Sequence, residues 1–249
     1  MKKLEGQRVI ITGGAGGIGN AAVRMFVSEG ARVACTYNSK LPDLPAGVIA
    51  KRCNITDRAE VNAVFDDIVA ELGGLDTLIH AAGAHGSCSA AEVDEAHWNH
   101  LLDLNGKAAV WTNQAAFRHL KDTGGSIVNM GSVEGVRGFA GNSVYAASRG
   151  AVMAWTRSVA QEWGGHRVRV NCVAPAIHTD IYQRQRDNMP AAALAAMDAA
   201  LSHTIPLGGK LGDPLRDMAP VLVFLAGQDS HFITGQLIAV DGGLMMVGS

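Results

Sequence analysis

Arg8-Val9-Ile10-Ile11-Thr12-Gly13-Gly14-Ala15-Gly16-Gly17-Ile18-Gly19 is the stretch on which the reading of the fold turns. Arg8 to Thr12 is a short apolar run of strand type. From Ile18 to Glu29, apolar Ala22, Met25 and Phe26 follow at helical spacing. A glycine cluster between a strand and a helix places unpaired helix N–H groups and a partial positive charge where an anion can sit. A dinucleotide pyrophosphate suits that position. Gly13, Gly17 and Gly19 then serve a tight turn, a close ligand approach and close packing of helix on strand. Their spacing, G-x-x-x-G-x-G, departs from the usual G-x-G-x-x-G.

Outward from this turn the alternation continues. Arg32 to Thr36 and Gly47 to Arg52 are further short apolar runs, and Asp57 can cap a helix carrying Val61, Val64, Phe65, Ile68 and Leu72 on one face. Leu75 to His80, Ser126 to Met130 and Val168 to Val173 read as strands, with long helical windows at Glu95 to Leu120 and Ser143 to Trp163. A short helix at Ala191 to Ala200, a helix from about Asp213 to Ala226 and a strand from Gln236 to Val240 complete the pattern. Such βαβ alternation predicts an α/β fold, a Rossmann-type doubly wound parallel sheet with helices on both faces. One domain over 1–249 is expected, with a substrate loop at about 176–211 just beyond a strand's carboxyl end, where open α/β sheets bind ligands.

Composition agrees with this picture and removes other classes. Charged residues are 18% of the chain and apolar ones 48%, and thirty glycines occur without a Gly-X-Y period, so neither disorder nor collagen is implied. A net charge of −2 gives no reason to expect nucleic acid. The longest stretches free of charge, Val9 to Val23 and Thr77 to Ala91, have 15 residues each and contain glycines, too short to span a membrane. No apolar core of a signal peptide follows Met1, Lys2 and Lys3, which predicts a cytoplasmic protein. Cys35, Cys53, Cys88 and Cys172 lie far apart and read as small buried hydrophobes, and His97 with His100 lacks a third ligand, so no metal is expected. Gly131-Ser132-Val133-Glu134-Gly135 lacks the spacing of a nucleophile elbow, and no G-x-x-x-x-G-K-[ST] occurs.

Taken singly, Ser132 reads as a turn residue, Asn105 as a polar residue bending a helix and Tyr145 as a packed aromatic. Together and in order, with Thr12 to Gly19, Ala81-Ala82-Gly83, Ser148-Arg149, Asn171 to Pro175 and Asp241-Gly242-Gly243, they make the chain resemble the classical short-chain dehydrogenase/reductase family from Leu4 to about Leu244. The resemblance implies an oxidoreductase that moves a hydride between a nicotinamide cofactor and a secondary alcohol or ketone. Tyr145 is then the acid/base, Ser132 holds the substrate oxygen, Arg149 one helical turn on favours the phenolate, and Asn105 holds a water in a proton relay. It further implies cofactor contacts at Gly13, Gly17, Ile18, Gly19, Tyr37, Asn38, Asn54, Ile55, Ala82, Gly83, Tyr145, Arg149, Pro175, Ile177 and Thr179. The substrate walls would come from His85, Ser132, Glu134, Phe139, Ile177, His178 and Tyr182, a mix that suits a small or medium alcohol or ketone, with or without further hydroxyls, as well as a steroid-like ring.

Three positions depart from the family pattern. Arg149 replaces a lysine, keeping the charge and able to fork to two ribose hydroxyls but unable to lose a proton. His80-Ala81 replaces an asparagine pair, which loses polar anchoring near the cofactor but retains the small residues. Asn54 replaces an aspartate, with an amide oxygen still able to accept from adenine. Arg149 and His80 keep open a second reading, a dinucleotide-binding protein with weak or no catalysis. After the second strand, Thr36-Tyr37-Asn38-Ser39-Lys40 carries no acid to select the ribose 2′-hydroxyl of NAD, so within NAD(P)(H) the balance tips towards NADP. The resemblance also implies a homotetramer, with Val110, Trp111, Val152 and Trp155 on the two long helices as candidate anchors.

Overall fold

Strand β1 (Arg8–Thr12) lies in the interior of the sheet, its apolar residues buried on both faces, as a strand covered by helices on each side requires. The computed structural model describes residues 2–41 and 43–246, so the two ends of the expected 1–249 range lie outside the described residues. Seven parallel strands form one sheet in the order β3-β2-β1-β4-β5-β6-β7: β2 (Arg32–Tyr37), β3 (Ile49–Arg52), β4 (Thr77–His80), β5 (Gly125–Met130), β6 (Val168–Pro175) and β7 (Leu237–Val240). The strand order reverses between β1 and β4, which opens a crevice at their carboxyl ends.

Neighbouring residues on each strand serve opposite layers. Ile10, Leu78, Ile127 and Val170 face one core, covered by Phe65 and Leu72 of α2 (Arg58–Leu72), Leu120 of α4 (Ala108–Leu120) and Trp163 of α6 (Ser143–Trp163). Val9, Ile11, Ile79 and Val128 face the other, against Val23 and Phe26 of α1 (Gly17–Ser28) and Leu222 and Leu225 of α9 (Ala219–Ala226). Helix α2 has the expected cap: Asp57 accepts from the N–H groups of Ala59 and Glu60, and Gly73 closes the far end at φ +75°.

The long window at Glu95 to Leu120 is not one regular helix. It runs as α3 (Glu95–Leu101), a π-helical segment at Leu102–Lys107 and then α4. The extra residue in that wide turn, a kind of irregularity common at functional sites, carries Asn105 inward, where it is wholly buried. A second π-helical segment, Pro214–Met218, precedes α9 and is capped by Asp213. The substrate loop holds more helix than the sequence reading recognised: α7 (Asp180–Asp187), short and strongly polar, and α8 (Ala191–Thr204), both following a short α5 (Glu134–Arg137) in chain order. Three of the cysteines are buried as expected, but Cys88 is only half-buried, because its segment crosses the surface to bridge Asn142.

Candidate active site

The site grows from four βα turns at the carboxyl ends of β1, β4, β5 and β6. Gly13 adopts φ +72°, and a Cβ there would lie 2.8 Å from the Cα of Ala82, so the two central turns touch backbone to backbone. Gly19 packs so closely on the carbonyl of Gly13 that no side chain fits. Gly14, which the sequence reading passed over, does the same work against β2: its Cβ would lie 2.6 Å from that of Cys35. Helix α1 begins at Gly17, and its cap residue, Gly16, has no side chain to satisfy the first N–H groups. An anion therefore finds donors and a favourable dipole there.

Helix α6 carries two of the side chains expected to be catalytic. Its first turns place Tyr145 and Arg149 at i and i+4, with the guanidinium carbon 5.3 Å from the centre of the phenol ring. Arg149 is buried. Its Nη1 donates to the carbonyl of Met130 at 3.0 Å, Nη2 faces Gly83, whose absent Cβ leaves it room, and Nε has no partner. One arm of the expected fork is thus already tied to β5. Ser132 follows β5, nearly buried, and its Oγ accepts from the Glu134 N–H at 3.1 Å.

Asn105 lies behind these groups and not on the cleft wall. Its Oδ1 accepts from the Ala84 N–H at 2.9 Å, while Nδ2 donates to the Ala84 carbonyl at 3.0 Å and to Ser148 Oγ at 2.9 Å. Both amide hydrogens are in use, which leaves the side chain no donor for the expected relay water. What Asn105 does is clamp the turn after β4 to α6. His80 is fully buried, with Nδ1 at 2.9 Å from Thr112 Oγ1 and 3.2 Å from Thr12 Oγ1. Burial first, and the nearby Arg149 cation second, pull its imidazole down to about 3, so it is neutral. The polar anchoring expected to be lost with the family's asparagine is kept by this histidine: Thr12 Oγ1 also accepts from the Ala82 N–H at 3.1 Å.

These turns enclose one cleft of about 1190 Å³. Gly13, Gly17, Ile18, Tyr37, Asn38, Asn54, Ile55, Ala82, Gly83, Pro175, Ile177 and Thr179 line it, as do Ser132, Tyr145, Arg149, His85, Glu134, Phe139 and Tyr182. Gly19 and Asn105 support it from beneath. His178 does not line it: its ring turns aside to Gln183 Oε1 at 2.7 Å and packs edge-on against Tyr182. The oxygen of Asn54 accepts from both the N–H and the hydroxyl of Thr56, so its expected role as an adenine acceptor meets a competitor. Met189, between α7 and α8, and Met197 of α8 line it as well, both within the segment at about 176–211 that the sequence offers for the substrate; Leu201, one turn further along α8, adds to the same apolar wall.

A nicotinamide dinucleotide fits what is present. The start of α1, with its uncapped N–H groups, the glycines whose missing side chains keep the turns close, and Arg149, whose Nε has no partner, all belong to this one cleft. Comparison with known proteins agrees. A family profile described as enoyl-(acyl carrier protein) reductase matches residues 13–245. The 3-oxoacyl-[acyl-carrier-protein] reductase of Thermotoga maritima is 35% identical, covering 98% of this chain and 100% of that protein. The meso-2,3-butanediol dehydrogenase of Serratia marcescens is 32% identical over 97% of this chain and 95% of its own. Among solved structures, the ligand-free aldohexose dehydrogenase of Thermoplasma acidophilum superposes with a TM-score of 0.89 at 27% identity, covering 100% of this chain and 98% of that one. The glycine turn, the Ser132, Tyr145 and Arg149 constellation and these full-length likenesses together place the chain in the short-chain dehydrogenase/reductase family of NAD(P)-dependent oxidoreductases.

Proposed function

We propose that this enzyme interconverts a secondary alcohol and a ketone, with Tyr145 as the acid/base. The observation that carries the reading is that Tyr145, Ser132 and Arg149 open on the same cleft as the glycine turn. A bound nicotinamide dinucleotide supplies the hydride in one direction and accepts it in the other. In reduction, the Tyr145 hydroxyl donates its proton to the carbonyl oxygen; in oxidation, its phenolate takes the proton of the alcohol. Ser132 Oγ, which already accepts from Glu134, turns its own proton to the substrate oxygen. Arg149 holds positive charge against the phenolate and offers its remaining N–H groups to the cofactor ribose. Asn105 acts by position, fixing the Ala82-Gly83-Ala84 turn.

NADP is the preferred cofactor in this reading. Asn38 and Ser39 line the cleft where a 2′-phosphate would lie, and Lys40 flanks an adjoining groove beside Gly16 and Arg24. The enzyme is taken to work as a cytoplasmic homotetramer; no described helix is long and apolar enough to cross a membrane. The expected anchors change, however. Val152 is buried within its own subunit, while Trp98 on α3 is 46% exposed and available. A panel of alcohols and ketones followed at 340 nm with NADH, NADPH and their oxidised forms tests activity, direction and cofactor together. No turnover across a broad panel would sink the proposal.

A further inference from the structure

We propose that Glu134, set by His85 and Gln185, is a specificity residue that selects substrates carrying a second hydroxyl one or two carbons from the reacting carbon. The inference rests on the alcohol/ketone reading and names the substrate class of that same cleft.

Three polar side chains from three separate segments meet beside the acid/base. His85, after β4, packs its ring 4.5 Å from that of Tyr145. From α7, Gln185 brings its Nε2 to within 3.0 Å of His85 Nδ1. An amide nitrogen donates, so Nδ1 accepts and the imidazole proton sits on Nε2. That Nε2–H faces Glu134 Oε1 at 3.6 Å. The other carboxylate oxygen of Glu134, Oε2, is buried and has no partner. A carboxylate oxygen withdrawn from water without a donor is costly, and a ligand that brings a donor relieves the cost. Rotation about the terminal torsion is broad and two-fold, so either oxygen can be turned to the cleft that Glu134 lines.

The backbone of Glu134 fixes where that donor must be. Its N–H is bonded to Ser132 Oγ, the group proposed to hold the reacting oxygen, so the carboxylate is tethered two residues from the chemistry. A substrate whose oxygen lies on Ser132 and Tyr145 therefore presents its neighbouring carbons to Glu134. A hydroxyl there donates to the carboxylate and can accept from His85 Nε2–H, whereas a methylene does neither. An ammonium group would also donate, but Arg184 lines the same cleft and opposes a second cation. The apolar remainder of the wall, Met189, Met197 and Leu201, accommodates the carbon skeleton.

The test compares matched pairs of probes on the purified enzyme: the 1,2-cyclohexanediols against cyclohexanol, and 2,4-pentanediol against 2-pentanol. Wild type should favour at least one diol over its mono-alcohol by tenfold or more in kcat/KM, mainly through KM, because a site built to hydrogen-bond a hydroxyl discriminates against the analogue without it. In Glu134→Leu that ratio should fall at least tenfold, whatever happens to the absolute rates. Glu134→Gln, which keeps the shape and an acceptor but loses the charge, should fall between the two. Because both members of a pair share the same hydride chemistry, a general loss of fold leaves the ratio where it was. Turnover of mono-alcohols without preference for diols, or a ratio untouched by Glu134→Leu, overturns this inference while the alcohol/ketone reading stands. No turnover of either class with either cofactor removes both.

Discussion

Lowering the pH from 6.5 to 4.5 is a perturbation to which His80 makes this fold answer. The side chain is buried on β4, registered beside Thr12 of β1 and Asn129 of β5, with its folded pKa pulled to about 3 against an ordinary value of 6.5. Well above pH 6.5 the imidazole is neutral whether the chain is folded or not, and contributes nothing to pH dependence. Below 6.5 the unfolded chain takes up a proton that the folded chain refuses, so stability falls by about 1.4 kcal/mol for each further pH unit. Across the chosen interval, allowing for half-protonation at its upper end, the loss is about 2.3 kcal/mol. Asp76 leaves this window clean. Burial raises its pKa, but the hydrogen bonds and charge of Arg8 outweigh that and hold the carboxyl below its ordinary 3.8, so the stability it adds is lost only at more acid pH. The assay is urea unfolding at fixed protein concentration at both pH values, for wild type and His80→Asn. The variant loses contacts to Thr12 and Thr112 and should be less stable throughout, yet its loss between the two pH values should be smaller than that of wild type by about 2 kcal/mol. Equal losses in the two proteins would refute the neutral, proton-refusing histidine.

Four further outcomes follow from the site. Tyr145→Phe should lower kcat by roughly 10² to 10⁴-fold, with cofactor affinity by calorimetry little changed, since the hydroxyl and not the ring is the proposed acid/base; full retained activity would remove the assignment. Arg149→Met should damage both turnover and cofactor binding, whereas Arg149→Lys should retain both within about tenfold; wild-type inactivity rescued by the lysine would favour the binding-protein reading. Gly13→Ala should weaken NADH and NADPH binding by at least tenfold and lower the thermal midpoint, because its Cβ would press on Ala82 at 2.8 Å in a backbone conformation unfavourable to alanine; an unaltered isotherm would contradict that geometry. Light scattering at micromolar concentration should give the mass of four chains, and a monomer would refute the assembly.

The sequence alone determined the architecture, since the signals involved are local. Apolar runs of about five residues, helical periodicity and the Thr12 to Gly19 turn depend on neighbours within a few positions, and β1, α1, α2 and β5 lie within a residue or two of where periodicity put them. The same holds for Tyr145 and Arg149, whose spacing of four on one helix fixes their proximity in advance. Tertiary structure decided what depends on groups distant in the chain. No pattern within Glu95 to Leu120 announces a π-helical turn. It is fitted to Ala84 and Ser148, which hold Asn105 by both ends of its amide. His178, expected on the wall, turns to Gln183; Gln185, one turn of α7 away from Ile181, reaches His85 across a hundred residues of sequence. His80 shows the division most plainly: its presence could be read from the chain, but its lost proton comes from burial beneath helices that only folding brings over it, which removes the water that would otherwise stabilise its charge.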